Sequence, residues 1–503
     1  MRTGGGRGRW WGWPIALLII GVAAVPLVRY WLTNPADQRL VDLDVYRTGG
    51  ESLLRGLPVY DAVTPAPQLL PFTYPPIAAL LAVPLAVMSW PAAQWVWTAG
   101  VLACLGVTAW FGFREPLARL RPAWAGPVVF GVVTAACLYL MPLRDQIRFG
   151  QVDILLVMLC LADCVARRPW WPRGMLIGLA TAIKLTPGVF LVYLLVTGFG
   201  RDAVPEQRRA FFMAVFTATL LTVLPFLVIP HDAASFWFSA LLDGDRVGAN
   251  NATTNQSIRG MLLRLYLPGW LTSLIWLALV AVVAWYGFRR AREALLRGDR
   301  MTAVALTGLM AVLVSPVAWI HHLAWLVVVL AALAGRALGD RTPLAGTPLA
   351  GSPLAEGPLA RGSLAGGALI SGAPAGGALA GGPADGRGAG ARASVSSGLT
   401  GAAVVAGVWL YYVLPIPWWG VSLRAAGIPV LSPVAGRVVQ DAFGLGAVAL
   451  VWLLGRRPAA AGVSGPAEPG PAEPGQDETS PDETSPDETS PGDGRRLGSR
   501  AIP

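Results

Sequence analysis

Long apolar runs separated by short polar segments dominate the hydropathy pattern of this chain. A run of about 20 apolar residues forms a helix long enough to cross the hydrocarbon core of a bilayer. The pattern therefore predicts an all-α polytopic membrane protein with about ten crossings. The predicted crossings are residues 13–32, 91–112, 123–143, 151–166, 210–230, 270–288, 301–316, 318–335, 399–416 and 436–455.

One further apolar run, 174–200, does not fit a single crossing because arginines flank it at both ends, with Arg173 before it and Arg201 after it. Cytoplasmic loops are enriched in arginine, so a single crossing would place one of these clusters on the wrong side. Lys184, the only lysine in the chain, lies inside the run, and Pro187 follows it. Proline removes a backbone donor and kinks a helix. The run therefore predicts two half-helices that form a broken hairpin, turning at Lys184 and keeping both arginine clusters in the cytoplasm.

Two segments lack the apolar density of a folded core. The first carries a repeated Pro-Leu-Ala-Gly motif, and the second carries Asp-Glu-Thr-Ser-Pro three times, so both are predicted to be disordered and cytoplasmic. The predicted organisation is a cytoplasmic N-terminus at 1–12, a transmembrane core at 13–338, the low-complexity insertion at 339–398, a C-terminal transmembrane pair at 399–456 and a tail at 457–503.

The composition excludes a soluble globular class, with 54% hydrophobic and 14% charged residues and a mean hydropathy of +0.54. The formal charge of +10 is typical of nucleic-acid binding proteins as well. Here, however, the arginines occur in short clusters between apolar runs, as topology requires, so no nucleic-acid partner is expected. The four cysteines fall within predicted crossings, which favours buried free thiols over disulfides or a zinc site.

Polar and aromatic residues collect in the loops that the arginine pattern assigns to the non-cytoplasmic face. Any one of them could be a solvated or membrane-anchoring residue, but their convergence favours a site. Adjacent histidines on a helix point about 100° apart, and no acidic cluster has good ligand spacing, so neither a metal nor a cofactor is expected. The candidates are Asp42, Asp44, Tyr46, Tyr74, Arg148, Gln151, Asn255, Gln256, His321 and His322, with Lys184 beneath them.

A carboxylate, several cationic or amide donors and access to lipid suit a transferase that uses a lipid-phosphate sugar. The carboxylate would take a proton from an acceptor hydroxyl as that hydroxyl attacks the anomeric carbon. Cationic side chains would neutralise the charge that develops on the departing phosphate. A lipid carrier would also supply sugar on a face where nucleotide sugars are absent.

Several sequence blocks, in this order along the chain, resemble those of the actinobacterial polyprenol-phosphate-mannose-dependent α-1,2-mannosyltransferases, which belong to glycosyltransferase family 87 of the GT-C superfamily. The resemblance covers about residues 13–335. The blocks are Val41-Asp-Leu-Asp-Val-Tyr46, Pro71-Phe-Thr-Tyr-Pro-Pro76, Gly150-Gln-Val-Asp153, Gly178-Leu-Ala-Thr-Ala-Ile-Lys-Leu-Thr-Pro187, Asn255-Gln-Ser-Ile258 and Ser315-Pro-Val-Ala-Trp-Ile-His-His322.

The resemblance implies a GT-C-type fold and inverting transfer of mannose from a polyprenyl-phosphate donor to a mannosylated glycolipid or lipoglycan at the non-cytoplasmic face of the cell membrane. In the family pattern the catalytic carboxylate falls on Asp42, while Asp44 occupies a variable position and leaves a second acid as an alternative base. The expected substrate-binding residues are Arg148, Lys184, His321 and His322 around the donor phosphate, Gln151, Asn255 and Gln256 on the sugars, and Tyr46 and Tyr74 beside them.

Two alternatives stay open at the level of the sequence. The residues alone do not distinguish mannose from arabinose or glucose on the same type of donor. A lipid-linked glycan transporter or flippase would also need polar residues at membrane depth, but transporters with a broken helix often repeat it, and only one such break is found here.

Overall fold

The computed structural model describes residues 5–35, 39–338, 387–429 and 431–456. Within these ranges all regular elements are helical, and β contacts are limited to isolated bridges that pair Val63 with Pro71 and Asn255 with Trp319. The all-α prediction is therefore confirmed for this part of the chain. The tail 457–503 and most of the predicted insertion, 339–386, lie outside the described residues.

The first seven helices include one closely packed pair, α2 and α3. Gly50 of α2 approaches the backbone of α3 so closely that a Cβ there would lie 2.9 Å from the carbonyl oxygen of Ala82. The two short helices therefore form one packed unit, which also contacts α6 and the later helices α8 Met175–Ile183 and α10 Pro205–Val228. The seven are α1 Gly5–Thr33, α2 Val41–Leu54, α3 Pro76–Val87, α4 Trp90–Ala118, α5 Ala125–Leu138, α6 Met141–Phe149 and α7 Asp153–Val165.

The predicted crossing at 123–143 is realised as two helices, α5 and α6, bent by 76°. Pro142 occupies the first turn of α6, where its missing N–H costs nothing. An apolar run of this kind looks continuous to a hydropathy window even where a proline starts a new helix. The bend directs α6, with its polar residues, toward the candidate site.

The segment 174–200 reverses direction, as the hairpin prediction requires. Its pieces are α8 Met175–Ile183, a 3-10 turn at Thr186–Gly188 and α9 Val189–Gly198, and they pack on α10 Pro205–Val228. Gly174, before α8, lies against the backbone of Ala210, and Gly198, at the end of α9, lies against Arg208. Because both ends of the segment meet the first turns of α10, Lys184 is at the far end of the hairpin.

The remaining helices complete the bundle. α13 packs along α14, and α15 packs against α4, α14 and α16. α16 begins at Arg387, earlier than the predicted start at 399. The helices are α11 Pro230–Ser235, α12 Ile258–Leu263, α13 Gly269–Leu296, α14 Arg300–Val314, α15 Leu326–Ala337, α16 Arg387–Val413, α17 Ile416–Ala425, α18 Leu431–Gln440 and α19 Ala442–Gly455.

Five of the described helices are long and apolar enough to cross a membrane, and three bent pairs raise the number to eight. Two of the ten predicted crossings, 151–166 and 301–316, are instead the 13-residue α7 and the 15-residue α14. At 1.5 Å per residue both are shorter than a hydrocarbon core of about 30 Å. Every residue of α14 from Thr302 to Leu313 is buried in protein. A helix that is apolar all round suits a protein core as well as it suits lipid, so hydropathy alone could not separate these cases.

The C-terminal helices are joined to the core by buried polar contacts. Arg264, which is 1% exposed, donates from Nε to an Asp441 carboxylate oxygen at 2.5 Å. Its other nitrogens donate to the carbonyl oxygens of Ala252 and Asn255, at 2.6 and 2.8 Å. The turn between α18 and α19 is thereby fixed to the loop that precedes α12.

Candidate active site

A cavity of about 980 Å³ opens among the segments that carry the predicted site residues. Its wall is formed by the start of α2, the loop before α3, the turn after α8, the loop 236–259 and the segment between α14 and α15. Six predicted residues from five parts of the sequence therefore meet in one space. They are Asp42, Tyr74, Gln151, Lys184, His321 and His322.

Gly150 determines how closely α2 packs on α6 at the edge of this cavity. It ends α6 with a φ of 73°, in the left-handed region that glycine adopts readily. A Cβ at this position would lie 2.9 Å from the Cβ of Leu43 and 3.3 Å from that of Leu40, so only glycine allows α2 to pack this closely on α6. The contact places Asp42, in the first turn of α2, beside the Gln151 side chain.

Asp42 has the protonation chemistry of a general base. Burial raises the pKa of its carboxyl from the usual 3.8 to about 7, while a hydrogen bond with Gln151 and the positive charge of Lys184 act in the opposite direction. A base whose pKa lies near the working pH is deprotonated in a large fraction of molecules and still holds a transferred proton.

Two tyrosines pack against each other and form hydrogen bonds in the wall next to Asp42. The Tyr46 hydroxyl donates to Gln151 Oε1 at 3.3 Å and lies 3.1 Å from the Tyr74 hydroxyl. The two rings pack edge to face at 5.1 Å. Tyr74 lines the cavity, whereas Tyr46 is buried behind it and orients Gln151.

Lys184 projects from the hairpin turn into the same cavity. Its backbone is extended, with φ −150° and ψ 135°, because α8 ends there and the 3-10 turn with Pro187 follows. The ammonium Nζ donates to Asp153 Oδ1 at 2.8 Å and lies 3.0 Å from His322 Nε2. It also lies 5.4 Å from the ring centroid of Tyr74. A buried cation is thus held by one carboxylate while remaining on the cavity wall.

The two histidines are in a short 3-10 helix, Ile320–Trp325, which points both rings toward Asp153. His321 Nε2 is 3.8 Å and His322 Nε2 is 4.0 Å from that carboxylate. The position of the helix is fixed from behind, since Gln146 Nε2 donates to the His321 carbonyl oxygen at 2.9 Å. The potential ligand atoms of Asp153, His321 and His322 lie within 4.8 Å of one another. The Lys184 ammonium is in this group and supplies the positive charge there.

Five predicted site residues do not line the cavity, and one of them is Tyr46, buried behind the wall. Asp44 lies near Arg47 on another face of α2, and Arg148 is exposed, stacked on the rings of Tyr30 and Phe149. The other two, Asn255 and Gln256, are fully buried, with 0% exposure.

The amides of Asn255 and Gln256 are used inside the protein. Asn255 Oδ1 accepts from the backbone N–H groups of Ser257 and Ala318, at 3.2 and 3.0 Å. Gln256 Oε1 accepts from the Gly444 N–H at 2.8 Å, and its Nε2 donates to the Gln440 carbonyl oxygen at 3.0 Å. The segment 252–257 therefore joins the C-terminal helices to the backbone that leads into His321, and we call it the strut.

Charged residues that the sequence did not single out as site residues also lie beside the cavity or on its wall. Asp153 anchors Lys184 and lies in the first turn of α7, inside an apolar run, where an ionisable residue is itself a signal of function. Asp145, Arg246 and Arg259 line the cavity as well. Asp145 is in α6, Arg246 is in the loop before α12 and Arg259 is in the first turn of α12, and no sequence pattern distinguishes them from solvated charged residues.

This arrangement suits displacement at a carbon attached to a phosphate. Asp42 can accept a proton, and Lys184 on the same wall can neutralise an anionic leaving group. The apolar and aromatic part of the lining, which includes Leu70, Phe236 and Trp319, suits a lipid-linked substrate.

Comparison with known proteins supports the same class of chemistry. The model of glycosyltransferase family 87 matches residues 72–316. This range contains Lys184 and Asp153, while Asp42, His321 and His322 lie on either side of it. No solved structure gives a significant match.

Curated relatives match over a longer part of the chain. A polyprenol-phosphate-mannose-dependent α-(1-2)-phosphatidylinositol mannoside mannosyltransferase of Mycolicibacterium smegmatis is 36% identical over 352 residues, covering 64% of this chain and 76% of that protein. The protein of the same description from Mycobacterium tuberculosis is 34% identical, over 62% of this chain and 74% of the relative. A phosphatidylinositol pentamannoside mannosyltransferase of M. tuberculosis is 33% identical, over 62% and 70%. The predicted resemblance is confirmed, and this multi-pass membrane protein belongs to glycosyltransferase family 87.

Proposed function

We propose that the protein transfers mannose from polyprenyl-phosphomannose to a phosphatidylinositol mannoside, forming an α-1,2 linkage. The donor, the linkage and the acceptor are those in the names of the mycobacterial relatives. Membership of a glycosyltransferase family favours this function over the transporter alternative. The observation that carries the proposal is that one cavity holds both a carboxyl group with a pKa of about 7, on Asp42, and a buried ammonium, on Lys184.

In the proposed mechanism Asp42 removes the proton from an acceptor hydroxyl. The hydroxyl oxygen attacks the anomeric carbon of mannose, and the bond from that carbon to the phosphate oxygen breaks. The bonding electrons and the new negative charge go to the polyprenyl phosphate, which Lys184 neutralises. A single displacement inverts the configuration at the anomeric carbon, so an α product requires a β-linked donor.

The histidines and Gln151 have supporting roles in this proposal. His322 Nε2 accepts a hydrogen bond from the Lys184 ammonium and so orients it, while His321, on the same cavity wall, provides a ring N–H for a remaining phosphate oxygen. Gln151 donates to Asp42 and to sugar hydroxyls. We propose no resident metal or cofactor, because the Lys184 ammonium lies 2.8 Å from Asp153 Oδ1 and 3.0 Å from His322 Nε2 and so supplies the positive charge beside these potential ligands.

We place the reaction at the non-cytoplasmic face. The arginine clusters that follow α4, α7 and α13 lie away from the cavity and fit cytoplasmic loops. A lipid-linked donor is also the form of activated sugar that can be supplied on that face.

The test is transfer by purified protein in detergent, with polyprenyl-phosphomannose and a phosphatidylinositol mannoside. We expect an α-1,2-linked product, detected by mass spectrometry and by the anomeric proton in NMR. Asp42→Asn should abolish transfer, whereas Asp44→Asn, its matched control on the same helix, should keep most of it. Full transfer by a folded Asp42→Asn protein would overturn the mechanism. Faster transfer from polyprenyl-phosphoarabinose or polyprenyl-phosphoglucose would overturn the choice of sugar.

A further inference from the structure

A second, more open cavity of about 860 Å³ adjoins the active-site cavity. The residues that line both are Asp245, Gly248, Asn250 and Arg259. The second cavity is otherwise lined by Ala249 and Asn251 of the same loop on one side and by Leu263, Tyr266 and Leu267 on the other. The loop 245–250 therefore separates the two spaces, and Arg259 is at the junction between them.

The position of this junction relative to the membrane follows from the next helix. Tyr266 and Trp270 are 63% and 71% exposed, and Trp270 is in the first turn of α13, one of the five helices long enough to cross a membrane. Exposed aromatic residues at the end of a crossing lie at the level of the lipid headgroups. The second cavity therefore opens where headgroups lie, and its leucines are suited to acyl chains.

Arg259 differs from the other two arginines of the segment 231–268, which lies between α10 and α13. Arg246 is used by the protein itself, since it donates to the carbonyl oxygens of Tyr60 and Phe72. Arg264 is used in the buried pair with Asp441. Arg259 instead lies over the ring of Trp276, 5.6 Å from its centroid, and among the described residues its guanidinium forms neither an ion pair nor a hydrogen bond.

We propose that Arg259 binds the phosphodiester of the acceptor lipid. This inference rests on the proposed function, in which two phosphates meet the protein at once. Lys184 neutralises the donor phosphate deep in the first cavity, so the acceptor needs a separate cationic site nearer the lipid. Guanidinium groups bind phosphate oxygens through two parallel hydrogen bonds, and stacking on Trp276 holds the guanidinium plane in place.

The proposal also gives the acceptor a path. Its acyl chains lie beside Leu263 and Leu267, its phosphodiester is at Arg259, and its sugar chain extends through the junction to Asp42. Asp245 and Asn250 line both cavities and offer oxygen and amide groups to sugar hydroxyls along this path. The donor reaches Lys184 through the first cavity alone.

The experiment compares two acceptors in dodecyl maltoside micelles, which contain no phosphate. One is a phosphatidylinositol mannoside, and the other is an alkyl α-mannoside without a phosphodiester. We expect Arg259→Gln to raise the KM for the first acceptor about tenfold, the loss typical of a partly exposed charge-assisted hydrogen bond. The KM for the alkyl mannoside, the kcat and the KM for the donor should stay unchanged. Arg259→Lys should recover part of the loss, and Arg55→Gln, an exposed arginine outside both cavities, should match the wild type.

Each other outcome overturns the inference in a distinct way. Equal losses with both acceptors would make Arg259 a structural residue, and a raised KM for the donor would assign it to the donor phosphate. An effect seen only after reconstitution in anionic bilayers would assign it to bulk lipid. If the wild type transfers mannose to neither acceptor, the proposed function fails, whereas normal wild-type transfer with an unaffected variant overturns only the role of Arg259.

Discussion

The turn at Lys184 and the strut at 252–257 are both polar interruptions between apolar helices, but they use their polar atoms differently. Lys184 lies on the cavity wall, held by a single carboxylate. In the strut, Asn255, Gln256 and Ser257 are buried, and its amides and carbonyls are bonded to Ala318, Gln440, Gly444 and Arg264. The comparison indicates that a polar motif between membrane helices can contact a substrate only where its own protein leaves some of its polar atoms available.

The largest expected effect tests whether the strut stabilises the fold. Arg264→Met leaves Asp441 buried without its partner, so we expect the free energy of unfolding to fall by about 3–5 kcal/mol. Thermal unfolding of the purified protein in detergent measures the change. The double variant Arg264→Met with Asp441→Leu removes both charges and should recover part of the loss. An unchanged midpoint in the single variant would show that the pair does not hold the strut.

The next effect tests the catalytic side. Lys184→Met removes the charge proposed to neutralise the departing phosphate, so kcat should fall by about 10²–10³-fold while the KM for the acceptor changes little. Steady-state kinetics with saturating donor measures this.

The control for that change addresses Asp153, which Lys184→Met leaves unpaired. The double variant Lys184→Met with Asp153→Asn carries neither charge of this pair, so no unpaired carboxylate remains. It should show the same loss of kcat as Lys184→Met alone. If this double variant regained normal turnover, the lysine would be only a counterion for Asp153.

A smaller effect compares two buried glutamines. Gln256→Leu leaves the Gly444 N–H and the Gln440 carbonyl oxygen without their partner, and we expect a stability loss of about 1–3 kcal/mol with both KM values nearly unchanged. Gln151→Leu, the matched amide on the cavity wall, should instead lower the rate of transfer. Similar kinetic losses in the two variants would remove the distinction between the strut and the site.

The smallest effect is a shift of the pH profile. Asp42 must be deprotonated to act as a base, so kcat/KM should rise with pH about tenfold per unit well below a midpoint near 7 and level off above it. Because the charge of Lys184 lowers the pKa of Asp42, Lys184→Met should move the midpoint of its residual activity upward. Gln256→Leu should not move it, and a profile without a rise near neutrality would exclude Asp42 as the base.

The protonation of Asp42 also affects folding, with a definite sign. Its folded pKa of about 7 lies above the usual 3.8, so the folded state keeps a proton that the unfolded state has lost. Its contribution to stability is therefore lost progressively as pH rises between these two values. Asparagine does not titrate, so the Asp42→Asn variant is not destabilised in this way as pH rises. At pH 8 it should therefore unfold at a higher temperature than the wild type.

Much of the architecture could be predicted from the sequence because it follows from hydropathy and arginine placement. Arginines on both sides of 174–200 predicted the hairpin, and the contacts of Gly174 and Gly198 with α10 agree with it. The crossings at 151–166 and 301–316 could not be corrected from the sequence, since an apolar helix buried among other helices has the same composition as one in lipid.

The site could be predicted only in part, because residue type does not show whether a polar side chain is already hydrogen-bonded inside the protein. Residue type and family resemblance selected Asp42, Gln151, Lys184 and the histidines, which the fold brings together. Asn255 and Gln256 have the same chemistry as sugar-binding amides, and only the tertiary structure shows that their hydrogen bonds are already made. Arg259 could not be separated from Arg246 and Arg264 without knowing what each guanidinium contacts.

The buried pair of Arg264 and Asp441 has a consequence for how the chain is joined. Residues 387–456 are attached to the core by Arg264, by the Arg336 bond to the Leu454 carbonyl oxygen at 2.7 Å and by the Trp409 bond to the Ala136 carbonyl oxygen at 2.9 Å. All of these contacts join described residues on either side of 339–386, so the two pieces can pair without the covalent connector between them, and a covalent link only raises the effective concentration of one piece near the other. Two separately expressed polypeptides, cut within that connector, should therefore assemble in the membrane into one active enzyme.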